Sequence, residues 1–587
     1  MARCAATLNR QACAIAAPAL AKSAAVQRPL MKILELAIFA GQPRFCDPKL
    51  ARLQVTAGIS AAWHAALAAD PAKSAGAVDG GFAVGIRDAN GRAFMAVDPL
   101  GLHSLCFRLI DGELHFALSA SELSEEGSAL DLQATFNYLY FHAIPSPRTI
   151  FTGVSRLPPG HFALFENGQL TIRPYFRPRF QAAIRPSFNA LKSEFRSLLA
   201  ESVRRELGTG KPACFLSGGT DSSTVAGMIR EVTGEAPATY SIGFEAEGYD
   251  EMAYARIAAK HFGTDHHEYY VTPEDLIKGI PLAAKSFDQP FGNSSVLPTF
   301  CCAQLAQSDG IKQLLAGDGG DEFFGGNTRY AKQRIFGWYD QVPQWLRGGL
   351  LEPLLMHTPL GKLPLARKGA SYIEQARQPM PDRLQSYNLL NRLGQSEVLT
   401  PGFLALVSAG EPLQLQREAW RLADADTDLD RNLAFDWRFT LAESDLPKVR
   451  MATAMAGVEV GYPLLDSALR EFSMRLPTDY KLKGLKLRWF FKEALRGFLP
   501  DAILTKQKHG FGLPFGVWAS RHPGLSALAN DSLRSFAQRG LVQPKFIERL
   551  LSEHLPAHPG YYGEMVWILM MLEQWLQAHS PDFKLQQ

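Results

Sequence analysis

Residues 214–228 read CFLSGGTDSSTVAGM: an apolar run, two glycines, an acid set among hydroxyls, then a helical tail. Gly218 and Gly219 let backbone N–H groups come close to an oxyanion, and the helix start behind them adds its positive end. Ser217, Ser222 and Ser223 can donate further hydrogen bonds, with Leu216 and Thr220 completing the loop. Asp221 would repel a phosphate by itself, so its place there makes sense with a divalent cation in between. The competing reading is an ordinary polar turn, and the surrounding sequence decides between them.

Working outward, PACFL reads as a short buried strand before the loop and STVAGMIREVTG as a helix after it. ATYSIGF, HHEYYV and KQLLAG read as further strands, alternating with helices in EMAYARIAAKHFG and from Pro273. Such alternation implies βαβ units and a parallel sheet, which binds ligands beyond the carboxyl ends of its strands. Three informative stretches fall there: SGGTDSS, the segment from Gly243 to Asp250, and GDGGDEFFGG at 317–326. The second glycine-rich loop, also behind a strand, excludes the polar-turn reading. Its Asp321 is a natural second Mg²⁺ ligand beside Asp221. No lysine follows the glycines of 218–219, so the loop is not a G-x-x-x-x-G-K-[ST] phosphate loop.

Upstream, residues 31 to about 175 are strand-rich: MKILELAIFA, GGFAVGIRD, AFMAVD and HFALS, with DANG, DG and Asn167-Gly168 as turns. Residues 180–188 read as a linker, and 330–580 are mostly helical by period. The expected divisions are a flexible extension at 1–30, a domain at 31–180 and a second at 188–580, since 587 residues exceed one core. The Ala-rich opening mimics a transit peptide, but Pro18 breaks its weak apolar segment.

Composition narrows the function. The balance of 61 Lys+Arg against 58 Asp+Glu lacks the basic block of a nucleic-acid binder. No apolar run approaches the ~20 residues of a membrane span. Seven scattered cysteines without a C-x-x-C pair fit a reduced, cytoplasmic chain, and Cys301-Cys302 reads as a core pair on a helix. His266 and His267 have no third ligand nearby in sequence, so no metal is assigned there.

The loop 217–223 carries the signature of the ATP pyrophosphatase, or PP-loop, class. With PRTIFTGVSRLPPGHFALFENGQL, GTDHHE, LAGDGGDEFFGG, VEVGYPLLD and LPDAILTKQKHGFGLPFG in order, the chain resembles the asparagine synthetase family over residues 75–575. The resemblance implies an N-terminal α+β, Ntn-hydrolase-like glutaminase-type sandwich. A PP-loop/HUP-like parallel α/β synthetase domain with a helical C-terminal part would follow. It implies Mg-ATP adenylating a carboxylate, with AMP and pyrophosphate formed and an amine attacking the acyl-adenylate. The residues carried over are Asp221 and Asp321 for Mg²⁺, and Lys508 (Lys506 its competitor) for the α-phosphate. Ile242, Gly243 and Phe244 match the adenine-binding strand end, and Gly317 and Asp318 match the ribose and the reacting carbonyl.

Where the pattern breaks, further expectations follow. Glutamine-dependent members need a cysteine at the processed N-terminus; here Ala2 follows Met1 and Lys32 follows Met31. The R-x-x-G-P and N-G-E-x-Y-N signatures are missing too, so glutaminase activity is expected to be lost. Arg450 stands in an Asp slot, Met451 and Gly461 in Arg slots, and Gln289 and Asn293 where acids are common. An aspartate pocket needs cations for its carboxylates, so these changes point to an altered acceptor. The expectation is an AMP-forming amide ligase taking a small-molecule or peptide carboxylate and ammonia or another amine. The alternative is a lasso-peptide cyclase or β-lactam-type synthetase. A homodimer or a biosynthetic partner protein fits either. A tRNA-modifying PP-loop enzyme and a non-catalytic scaffold are the readings from other classes.

Overall fold

The computed structural model describes residues 37–88, 90–125, 127–181, 186–348, 352, 372–507 and 512–585. The expected extension at 1–30 and residues 182–185 of the expected linker lie outside them.

The N-terminal part is built in four layers. Its first sheet is antiparallel, in the order Ala37–Gly41, Phe82–Arg87, Ala93–Val97, His161–Glu166, Gln169–Pro174. Strand alternation sorts its two faces. Phe82, Val84, Ile86, Phe94 and Ala96 point to helices Pro48–Ala57 and Ile59–Ala69, where Trp63 is wholly buried. Ala83, Met95, Val97 and Ala163 point to the second sheet, formed by Glu113–Ala117, Cys106–Ile110 and Ser155–Arg156. A Cβ on Gly85 would lie 2.6 Å from the Phe116 ring, so glycine there permits close approach of the sheets. Helix Leu132–Phe141 covers the far side, its Phe136 and Tyr138 clustering with Cys106 and Ala117. The hairpin at Asn167-Gly168 has positive φ at both residues, the geometry that the Asn-Gly pair favours.

The second part holds a five-stranded sheet, parallel throughout, in the order Asp265–Val271, Ala238–Phe244, Ala213–Phe215, Gln313–Leu315, Glu459–Gly461. In sequence terms the order is 3-2-1-4-5. The direction of winding reverses between Ala213–Phe215 and Gln313–Leu315, the two strands that carry the glycine-rich loops. Ligands in doubly wound sheets bind at such a switch point. The fifth strand, inside GVEVGYPLLD, is too short for its periodicity to announce it; Gln313–Leu315 supplies its hydrogen-bond partner.

Helices fill the remainder, centred on Pro559–His579. This helix is buried from Met565 through Leu572 on every side, as expected of one apolar all round. It joins the two parts through Tyr138 Oη, which donates to the Ile568 carbonyl at 2.9 Å, and packs within the second part where Trp575 Nε1 donates to the Phe287 carbonyl at 3.0 Å. Among the described residues no helix is long and apolar enough to cross a membrane. Cys302 is buried on helix Val296–Ser308 beside the half-buried Cys301.

Candidate active site

Local chemistry forces the shape of the first loop. Gly218 has φ +67°, and a Cβ there would lie 2.5 Å from the Tyr254 carbonyl carbon, so glycine alone fits. Gly219 then caps helix Thr220–Thr233. Hydroxyls brace the turn: Ser222 Oγ accepts from Ser217 N at 3.1 Å, and Ser217 Oγ accepts from Gly219 N at 3.3 Å. The first-turn N–H groups of Thr220, Asp221 and Ser222 have no acceptor within the helix, leaving an anion cradle at its mouth.

The second loop lies directly against the first. A Cβ on Gly317 would come within 2.8 Å of Ser222 N. Gly319 adopts φ +101°, which brings Gly320 against Asp221 and Arg488; a Cβ there would sit 2.6 Å from Arg488 Nη2. Asp221 and Asp321, a hundred residues apart, thereby meet around one side chain.

That side chain is Arg488, which the sequence reading missed. It is buried, has φ +55° and caps helix Trp489–Ala494. Its Nη1 donates to Thr220 Oγ1 at 2.6 Å and lies 3.1 Å from Asp321 Oδ1, while Nη2 pairs with Asp221 Oδ1. Burial disfavours its charge, but Asp221 and Asp321 outweigh that and raise its pKa. The only sequence signal is an arginine among apolar residues in LKLRWFF.

These loops line a cavity of about 1300 Å³. Leu216, Ser217, Gly219, Thr220, Asp221, Ser222, Ile242, Gly317, Asp318 and Asp321 border it. Ser223 is fully buried beneath the loop and Phe244 packs on Trp518, so neither forms its wall. Gly243 likewise lies outside it, held as glycine by the Tyr270 ring 2.6 Å from its Cβ position. Lys508 lies outside the described residues. Lys506 borders the cavity with its ammonium 3.1 Å from Glu251, 4.5 Å over the Tyr254 ring and 3.4 Å from the Gly218 carbonyl.

Beside the second loop Lys448 reaches Asp445 at 3.3 Å and Asp318 at 3.9 Å. Burial holds the Asp318 carboxyl above its usual pKa, and Lys448 offsets this only in part. Burial lowers the Lys448 pKa, but Asp445 and Asp318 more than compensate, so its pKa is raised. Asn293 also borders this cavity and donates to Ser444 Oγ at 3.1 Å. Gln289 accepts from Ile150 N at 3.0 Å, joining the two parts. Arg450 and Met451 line a second, smaller cavity, while Gly461 sits in the fifth strand with Leu315 2.7 Å from its Cβ position. His266 bonds Thr239 Oγ1 at 3.0 Å, and His267 stacks on Tyr240 and pairs with Asp309 at 3.0 Å, both within the sheet.

An antiparallel sandwich in front of a doubly wound parallel sheet with paired glycine-rich loops at its switch point defines an α/β nucleotide-binding class with an added N-terminal α+β part. Family comparison gives the same result. The asparagine synthase family model matches residues 194–577, and the glutamine amidotransferase domain model matches residues 66–176. The chain belongs to the asparagine synthase family, a family of ATP-dependent carbon–nitrogen ligases. It is 23% identical over 493 residues to asparagine synthetase [glutamine-hydrolyzing] 1 of Bacillus subtilis, covering 82% of this chain and 74% of that one. A putative asparagine synthetase [glutamine-hydrolyzing] of Mycobacterium bovis is 26% identical over 500 residues, with 82% and 74% covered. Amidase chyE of Penicillium rubens is 25% identical over 488 residues, with 75% and 70% covered.

Proposed function

We propose that the chain adenylates a carboxylate with Mg-ATP, releasing pyrophosphate, and that an amine then attacks the acyl-adenylate to form an amide. The observation that carries this reading is the convergence of Asp221 and Asp321 on Arg488 at the switch point of the parallel sheet. Attack of a carboxylate on the α-phosphorus builds charge on nonbridging and leaving oxygens, so positioned donors and cations supply most of the catalysis. The N–H groups of the first helical turn and the hydroxyls of Ser217 and Ser222 would bind the leaving pyrophosphate. Ile242, at the strand end, borders the space for the base. Lys508, by resemblance, would meet the α-phosphate.

Asp221 and Asp321 offer a hard dication the carboxylate oxygens it prefers, from two loops that already meet. They would hold Mg²⁺, which supplies charge neutralisation between the phosphates. Arg488 occupies the space between those acids, so loading requires its guanidinium to turn aside, toward the phosphate oxygens. Asp318, in the same loop as Asp321, and Lys448 beside it border the space where the activated carboxylate would lie.

Glutamine is not the nitrogen source in this reading, because the R-x-x-G-P and N-G-E-x-Y-N stretches that hold glutamine in the family are absent from the sequence. Ammonia or an amine carried by a second substrate serves instead. Likeness to an amidase as well as to asparagine synthetases favours a specialised amide synthetase as the second version. The test is pyrophosphate and AMP release from Mg-ATP, with aspartate plus ammonia in one arm and candidate amino acid or peptide carboxylates in another. Release in either arm, abolished by Asp221→Ala, supports the reading. AMP absent throughout, or ADP formed instead, refutes it.

A further inference from the structure

A second cavity, of about 420 Å³, lies between the N-terminal sandwich and the synthetase part. Ser104, Ser119 and Arg156 reach it from the sandwich, residues 286–291 and helix Leu446–Ala456 from the other side. That helix divides its side chains between the two cavities. Lys448 and Val449 border the nucleotide cavity, while Pro447, Arg450, Met451 and Ala454 border the second. The second cavity is thus a separate chamber with the helix as its partition.

Its charges are arranged unequally. Arg156 pairs with Glu443, which also takes Arg438 and the Ser146 hydroxyl, so Arg156 already has an anionic partner of its own. Arg450 makes no ion pair or side-chain hydrogen bond among the described residues, although burial works against its charge and lowers its pKa. Asp288 accepts from Ala120 N at 2.9 Å and Ser121 N at 2.7 Å, but no cation lies within ion-pair distance of it among the described residues. Its backbone partners fix the carboxylate without cancelling its charge. Of the four charged residues on the lining, Arg450 and Asp288 are thus the two without an ion-pair partner among the described residues, and they lie beyond ion-pair distance of each other. The same lining carries the apolar side chains of Leu118, Ile144, Phe287, Phe291, Met451 and Met455.

A buried charge without a partner is costly, and a fixed guanidinium with its planar fork is suited to a carboxylate. A ligand carrying both charges would satisfy Arg450 and Asp288 at once. The volume falls within the range of small-molecule sites, with ample room for an amino acid. We propose that this chamber binds a free α-amino acid with an apolar side chain, its carboxylate on Arg450 and its ammonium toward Asp288. Both charges of the ligand are engaged, its carboxylate relieving the desolvated guanidinium of Arg450 and its ammonium meeting the half-buried carboxylate that the backbone of Ala120 and Ser121 holds in place. The site is distinct from the nucleotide cavity and does not depend on what is adenylated there.

Calorimetric titration of the full chain, without nucleotide, tests this. The probes are L-leucine, L-methionine and L-phenylalanine, with 4-methylpentanoate and isoamylamine as the two half-ligands. Saturable binding of at least one amino acid is expected, weakened at least tenfold in Arg450→Met and in Asp288→Asn and partly restored in Arg450→Lys. Either half-ligand should bind at least tenfold more weakly than leucine. Unchanged Mg-ATP binding in the variants separates loss of the site from loss of the fold. Absence of binding by all three amino acids, binding insensitive to both substitutions, or a half-ligand as tight as leucine overturns the proposal. An unfolded Arg450→Met variant passes the decision to Arg450→Lys and Asp288→Asn, read by the same criteria.

Discussion

Nη1 of Arg488 lies 3.1 Å from Oδ1 of Asp321, while the same guanidinium pairs with Asp221 on the neighbouring loop. One buried cation thus holds together two carboxylates that would otherwise repel. Removing one partner from such a cluster costs about 3–5 kcal/mol, because it strands the other charges. Arg488→Met should therefore lower the melting temperature markedly in EDTA. Millimolar Mg²⁺ should restore much of that loss without nucleotide, since a dication can replace the missing charge. Wild type should show little response to Mg²⁺ alone. Thermal melts of both proteins, with and without Mg²⁺, check this; an Arg488→Met variant indifferent to Mg²⁺ would show that the acids do not form a metal site.

The first loop depends on backbone shape as much as on charge. Gly218→Ala would place a methyl group against the backbone of Tyr254 and Ala255 while forcing an L-residue to φ +67°. The left-handed conformation costs an L-residue roughly 1–2 kcal/mol, and overpacking adds about 1–3 kcal/mol. The loop should distort before the whole domain unfolds. The expected outcome is a loss of ATP affinity of at least tenfold with a melting temperature only a few degrees lower. Equilibrium nucleotide binding and a thermal scan on the same sample decide it; ATP affinity equal to wild type would disprove the role of this turn.

How far the site is legible in sequence follows from how local each determinant is. SGGTDSS and GDGGDEFFGG are contiguous, and their glycines signal required positive φ and close approach, so the cradle can be read directly. Strands of alternating or continuous apolar residues, such as ATYSIGF, are equally plain. Arg488 is different: its role arises because its helix begins beside Gly325, whose carbonyl accepts from Arg488 N at 3.1 Å. Nothing within LKLRWFF announces that contact. Ser223 and Phe244 show the converse case. They sit in the right motif, but the helix and the strand turn them into the core. Likewise the fifth strand, three residues long, exists by pairing with Gln313–Leu315 and not by its own pattern.

The seam between the two parts is held by Glu443. It accepts from Ser146 N at 3.0 Å and from the Ser146 hydroxyl at 2.8 Å, and it pairs with Arg156 and Arg438. Burial alone would raise its pKa, but the two arginines and Ser146 prevail and hold it below the usual range. A depressed folded pKa means stabilisation that is complete above the unfolded value, near 4.3, and lost as pH falls through the folded one. Wild type should accordingly lose stability on acidification below about pH 4.3. Glu443→Gln should be less stable by about 3–5 kcal/mol at neutral pH, since it leaves two arginines without their anion. Its acid slope should also be shallower. Denaturant unfolding across pH 3–7 measures both effects, and parallel curves for the two proteins would contradict this account.

Lys448 offers a test that a purely structural role would not pass. Its ammonium lies 3.9 Å from Asp318 and 3.3 Å from Asp445, and its charge favours the ionised form of Asp318 against the effect of burial. If ionised Asp318 is needed for turnover, removing the lysine must raise that pKa further. The acid limb of the pH–rate profile for pyrophosphate release should then move upward by about one unit or more, since one unit corresponds to about 1.4 kcal/mol of differential interaction. Lys448→Met should show this shift, and Lys448→Arg, which keeps the charge, should move it back most of the way. A fall in rate uniform across pH would reduce Lys448 to a packing residue. A shift rescued by arginine would instead show that it acts through the charge it presents to Asp318.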